Sequence, residues 1–215
     1  MHELKETALL ETAREAPILD TAKRQQLMDG ARRVFLEHGF DGASVGDIVR
    51  AAGISKGTLY AYFPSKEKLF ETLVFEDKRK QAEVVCLLDE SDEDIVRVLT
   101  KLGTSLVDML GKPEHLALVR IVIGAAGKFP EIGRAFYEAG PRYGIDRLAQ
   151  YLRKMTEKGV LNVPDAELGA RQFLALCKAG CHVQLLLSCM DAPSQQEIDE
   201  TVKSAVAMFL KAYGV

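Results

Sequence analysis

The sequence predicts an all-α protein in two parts, a small N-terminal module and a larger helical domain. Apolar residues recur at three- and four-residue spacing in almost every segment, and no alternating Val/Ile/Thr run bounded by hairpin turns is present. Pro113, Pro130, Pro141, Pro164 and Pro193 each fall near an expected helix start, where the missing N–H matters least. With 215 residues, 47% hydrophobic and 27% charged, the chain can bury a real core and has the length for two domains. No Gly/Ser- or Pro-rich linker divides them, so the boundary, placed between residues 66 and 67, is expected to be soft.

The first strong helix is predicted from Thr21 to His38, with Leu27, Ala31, Val34 and Phe35 on one stripe and Gly39 as a left-handed stop. Ser44 reads as an N-cap, with Asp47 in the first turn of a short helix carrying Val45, Ile48, Val49 and Ala52. Gly53 ends that helix, Ser55 caps a second one from Lys56 to Tyr62, and Phe63-Pro64 breaks it. Ser65 then opens a long helix toward Leu88, striped by Leu69, Phe70, Leu73 and Val74, which joins the two halves. Further helices are expected near Asp92 to Leu110, Glu114 to Ala126, Glu131 to Ala139, Tyr143 to Lys158, Ala166 to Ser188 and Gln195 to Ala212.

Composition narrows the function classes. No apolar run reaches the roughly 18 residues that span a bilayer, and Met1 to Glu15 lacks the basic start and apolar middle of a signal peptide, so a cytoplasmic protein is expected. Four cysteines, none in a Cys-x-x-Cys pair, read as free thiols. A net charge of -3 argues against bulk coating of nucleic acid but leaves room for a local basic face. No nucleophile-base pairing, phosphate loop or metal-ligand motif points to an enzyme, and neither cofactor nor metal is expected. Cys177, Cys181 and His182 invite a metal or thiol-sensor reading, which the 100° step between Cys181 and His182 on a helix disfavours.

Ser44 to Lys66 has helix-turn-helix grammar: a helix, a Gly turn, an apolar residue, then a short helix with small and hydrogen-bonding groups outward. A helix enters the major groove only if its exposed side chains can reach base edges, and Lys56, Gly57, Thr58, Ala61 and Tyr62 meet that demand. Phe35, Gly39, Asp47, Ile48, Ala51, Gly53, Ser55, Gly57, Leu59, Tyr60, Phe63, Lys66 and Leu69 give the stretch Thr21 to Leu73 a gapless resemblance to the DNA-binding domain of the TetR family.

The resemblance implies a DNA-binding regulator, a repressor released from palindromic operator DNA by a small-molecule ligand. It places Ser44, Thr58, Tyr60 and Tyr62 on phosphates and Lys66 on the backbone beyond, gives base reading to Lys56, Gly57 and neighbours, and counts Ser55 and Ala61 among the DNA-binding residues. Gly46 departs from relatives that read a base from that position, with Arg50 as a substitute or a solvent-facing residue. The resemblance also implies a homodimer through the last two long helices, Ala166 to Ser188 and Gln195 to Ala212. Leu116 to Tyr151, with Phe129-Pro130, Phe136-Tyr137 and Gly140-Pro141, is similar to the AefR-like subgroup. That likeness implies a pocket for an apolar or amphipathic effector, with Leu106, Met109, Leu118, Ile121, Val122, Phe136, Tyr137 and Phe173 as candidate liners, although plain core is the commoner fate of any one such residue. The alternative is a DNA-binding dimer without an inducer, regulated by a partner or by its thiols. Residues 1–20 form an acidic extension, expected as a helix on its own subunit or as disorder.

Overall fold

A computed structural model describes residues 21–215, and the extension at residues 1–20 lies outside the described residues. The helices are α1 (Thr21–Gly42), α2 (Val45–Ala52), α3 (Lys56–Tyr62), α4 (Lys66–Val85), α5 (Ile95–Gly111) and α6 (Pro113–Ala126). They continue as α7 (Pro130–Tyr137), a π-helical turn (Glu138–Arg142), α8 (Tyr143–Glu157), α9 (Ala166–Lys178), α10 (His182–Leu186) and α11 (Gln195–Tyr213). Among the described residues, β pairing is limited to one bridge between Leu161 and Gly214.

Leu27, Met28, Ala31, Val34 and Phe35 bury one face of α1. At Gly39 the backbone takes φ 69° and ψ -178°, so the expected left-handed stop is instead an extended kink that only glycine adopts freely. That kink returns Phe40 to the core, where its ring lies 6.1 Å from Phe35 and 5.3 Å from Phe70. Gly53 does take the left-handed conformation (φ 64°, ψ 36°), closing α2 with its N–H on the Val49 and Arg50 carbonyls. Gly30 permits the closest helix approach in the module: a Cβ there would stand 2.6 Å from the Ala52 Cβ and 2.7 Å from its Cα.

Two apolar cores result, and the smaller is shared between the halves. Phe35, Ile48, Leu59 and Phe70 pack with Leu118, Val122, Ala125 and Ile132 from α6 and α7. The larger core joins α5, α8, α9 and α11 through Leu99, Leu148, Tyr151, Leu152, Phe173, Val202 and Phe209. Residues of α6 and α7 thus supply part of the interior beneath α1 to α4.

Three expected helices change shape. The long α4 stops at Val85, three residues short of Leu88, with Cys86 as its cap. Pro141 does not start a helix but lies inside the π-helical turn that joins α7 to α8, where the wider ring accommodates a residue with no N–H to give. The stretch predicted as one helix from Ala166 to Ser188 is broken between Lys178 and His182. Gly180 is the weakest helix former there. Arg120 of α6 also holds the end of α10 from outside, donating to the Leu185 and Leu186 carbonyls and to the Ser188 hydroxyl.

Candidate nucleic-acid interface and effector cavity

Serine caps fix both short helices at their exposed starts. The Ser44 hydroxyl accepts from the Asp47 N–H at 3.1 Å, and the Ser55 hydroxyl accepts from the Thr58 N–H at 3.0 Å. Leu59 and Phe63 are buried, anchoring α3 on the core, so the opposite side of this helix faces outward. On that side Lys56, Gly57, Tyr60 and Ala61 are exposed, while Thr58 and Tyr62 are half-buried at its flanks. Tyr60, at 52% exposure, is a surface side chain rather than a core one. A Cβ at Gly57 would meet nothing closer than the Ser55 hydroxyl at 3.7 Å, so the fold makes no demand for glycine here. What glycine supplies is a low spot on the outer surface.

Lys66 differs from expectation, and Arg50 takes the solvent-facing one of its two alternatives. The Lys66 ammonium turns inward, donating to the carbonyls of Phe40 (2.8 Å) and Ala43 (2.9 Å) and lying 4.4 Å from the Phe40 ring centre. It clamps the end of α1 to the start of α4 instead of reaching out. Arg50 points to solvent and pairs with Asp47 at 3.0 Å.

Beneath α4 lies a cavity of about 280 Å³, roofed by the π-helical turn and floored by α5, α6 and α9. Of the eight predicted liners, Leu106, Met109, Phe136 and Tyr137 border it. The other four do not, each for a packing reason. Leu118 and Val122 are consumed by the shared core under α1, with Ile121 packed against the same core. Phe173 is sealed in the larger core, edge-on to Phe209 at 5.6 Å.

The polar liners went unread in the sequence. Lys78 is 2% exposed and His115 5%, and the Lys78 ammonium donates to Nδ1 of His115 at 2.8 Å and to Gln81 Oε1 at 3.0 Å. Burial pushes the Lys78 amine down to about 8. Burial, then the Lys78 charge, pushes His115 down to about 3, so its ring is neutral. His182 also lines the space, and its Nδ1 is buried without a hydrogen-bond partner. The helix break before α10 starts a new helix at His182, placing this ring at the cavity. Burial raises the Cys86 thiol to about 11 and the Cys177 thiol to about 12, which keeps both protonated at neutral pH. No group of three candidate metal ligands occurs among the described residues, and no helix there is long and apolar enough to cross a membrane.

Comparison with known proteins agrees with this geometry. Residues 27–73 match the bacterial regulatory proteins of the tetR family, and residues 97–215 match the C-terminal domain of AefR-like transcriptional repressors. The chain is 38% identical over 81 residues to the HTH-type transcriptional repressor AcnR of Corynebacterium diphtheriae, a stretch that covers 38% of this chain and 36% of that protein. Among solved structures, the flavonoid-responsive regulator FrrA is 33% identical with a TM-score of 0.77, covering 90% of this chain and 97% of the other. A TetR transcriptional regulator from Agrobacterium tumefaciens is 26% identical with a TM-score of 0.74, over 91% and 96% of the two chains. This chain belongs to the TetR family of DNA-binding transcriptional regulators.

Proposed function

We propose that the protein is a repressor that holds a two-fold-symmetric operator as a homodimer and leaves it when a small apolar or amphipathic molecule enters the cavity beneath α4. The observation that carries this reading is the position of α4. Its first turn is clamped to the DNA-contacting module through Lys66, and its last turns, from Lys78 to Val85, line the cavity. A ligand that shifts this helix acts on the DNA-contacting module through that clamp, provided that the ligand binds the two states with different affinity.

Ser44, Ser55, Thr58, Tyr60 and Tyr62 contact phosphates and set register, while Lys56 reads guanine O6/N7 and Gly57 and Ala61 let α3 lie close to base edges. Lys66 acts through its clamp. The dimer forms through α9, α10 and α11, where Leu168, Val183, Met208 and, just after α10, Leu187 are large apolar side chains between 48% and 68% exposed in the single subunit.

Operator selection from random duplex DNA, across a salt series, tests the reading. A palindromic site is expected, with preference lost at one base pair in Lys56→Ala and affinity lowered across all sequences in Tyr60→Phe. If only weak, salt-sensitive binding without enrichment is recovered, the operator reading fails. A monomer in sedimentation removes the dimer.

A further inference from the structure

The cavity is mostly apolar, and the charged side chains that border it are of one sign. Lys78, His115, Arg171, Lys178 and His182 border it, and no Asp or Glu does. Arg171, at the exposed rim, is already paired with Glu167, and Asp77, beside Lys78 in sequence, is bonded to Arg32. Lys78 is therefore a buried cation whose two hydrogen bonds go to neutral partners, Gln81 and His115, with the Phe136 ring centre 5.0 Å from its nitrogen. The ring of His115 accepts at Nδ1 and cancels none of that charge. His182 adds a buried ring nitrogen with no partner. Asp77 offsets this charge only from a distance, and a buried cation with no bonded group of opposite sign is unfavourable unless one completes it.

The complement of this wall is a molecule with one negative charge and an apolar body. A single buried ammonium plus neutral imidazoles balances a monoanion. A phosphate dianion needs more donors than the interior offers. At about 280 Å³ the space suits one or two rings or a short alkyl chain, which Leu106, Met109, Val119 and Ile145 would surround.

We propose that the cavity binds a small monocarboxylic acid, its carboxylate held by the Lys78 ammonium and the Nδ1–H of His182 and its aromatic or short alkyl body in the apolar floor. This rests on the reading of the cavity as an effector site and adds the ligand's chemical class. Lys178, half-buried at the rim, draws the anion inward.

Isothermal titration of the purified protein with matched pairs, 2-naphthoate against 2-naphthamide and octanoate against octanamide, provides the test. Each acid is expected to bind roughly tenfold or more tightly than its amide, because a charged hydrogen bond is exchanged for a neutral one. In Lys78→Met the gap should collapse, with the amides little changed. Equal affinities in the wild type, a gap that persists in Lys78→Met, or no binding of either acid at about 1 mM overturns the proposal. The wild-type comparison decides by itself if the variant does not fold. Operator release is scored separately by mobility shift. An acid that binds preferentially yet leaves the operator complex intact refutes the effector reading alone, whereas release by ligands that show no acid preference refutes the present proposal alone.

Discussion

The DNA-contacting end and the cavity end of the molecule are built in opposite ways. At the first, the functional residues are consecutive: Ser55 to Tyr62 form one seven-residue helix with its cap, and the outward side chains lie off the face that Leu59 and Phe63 bury. At the second, Lys78, His115, Tyr137 and His182 come from four helical elements or their ends and meet only through tertiary packing. The first site has its local hydrogen bonds satisfied within its own helices. The second carries a buried ammonium with no anionic hydrogen-bond partner, which a ligand of opposite sign would complete.

The sharpest way to break the first site is at Gly30 in its support. A side chain there has no space to enter, because Ala52 backbone atoms stand 2.7 Å and 2.8 Å from the Cβ position and backbone cannot rotate aside. Gly30→Val is expected to lower stability by about 3 kcal/mol or more and to abolish operator binding, as α2 is pushed off α1. Thermal melts and mobility shifts check this. A variant that melts like the wild type would mean that α1 and α2 pack less closely than described.

The next effect separates the two ends by pH. His115 is held at about 3, whereas in the unfolded chain it titrates near its ordinary 6.5. Below 6.5 the unfolded chain takes up a proton that the folded chain refuses, so stability is fully present above that value and falls as pH drops toward 3. By pH 5 the loss from this ring is about 2 kcal/mol, and His182, held down in the same direction by burial, adds to it. His115→Asn keeps an acceptor for Lys78 without the titration. Urea melts at pH 7 and pH 5 should show the difference shrinking by about 2 kcal/mol in this variant. An unchanged difference assigns the acid lability elsewhere.

Lys78 gives a smaller change of opposite sign. Holding the amine at about 8 against its usual 10.5 costs about 3 kcal/mol at neutral pH. Replacing it with Met removes that penalty but leaves Nδ1 of His115 unpartnered, which returns about 1–2 kcal/mol. Ligand-free Lys78→Met is expected to melt about 3–6 °C higher by calorimetry at pH 7, and the gain should fade above pH 8, where the wild-type amine discharges. A lower melting temperature would mean that the ammonium is already compensated in the folded chain.

The sequence reveals the first end more fully than the second. Ser44, Gly53 and Ser55 announce their caps and turn locally, whereas the spacing of Tyr60 suits core and surface alike, and only the burial of Leu59 and Phe63 turns it outward. Lys78 sits in a run of Glu76, Asp77, Arg79 and Lys80 that reads as a solvated face, and nothing local marks which charge turns inward. That choice is made by α6 and the π-helical turn packing over it, a non-local event. The same limit explains Leu118, Val122 and Phe173, whose apolar character is plain but whose assignment to a cavity or to a core depends on which helix lies opposite. It also explains Lys66, which the resemblance places on the DNA backbone but whose ammonium is taken by the carbonyls of Phe40 and Ala43.

The smallest effect, at Ser55, asks whether the local completeness of α3 can be separated from its contact with DNA. The hydroxyl accepts from the Thr58 N–H and shares a 2.9 Å hydrogen bond with the Thr58 hydroxyl. Ser55→Ala removes the cap and should lower stability by about 1 kcal/mol, because the first turn loses its only side-chain acceptor. Ser55→Asp keeps a capping oxygen and adds charge favourable to a helix N-terminus, so its melting temperature should match the wild type. Against phosphates the order reverses: the aspartate should bind operator more weakly than the alanine, with the deficit shrinking as salt is raised. If Ser55→Asp binds as tightly as the wild type, the start of α3 points away from the phosphate backbone, and α3 enters the groove by a different edge from the one that bears Ser55.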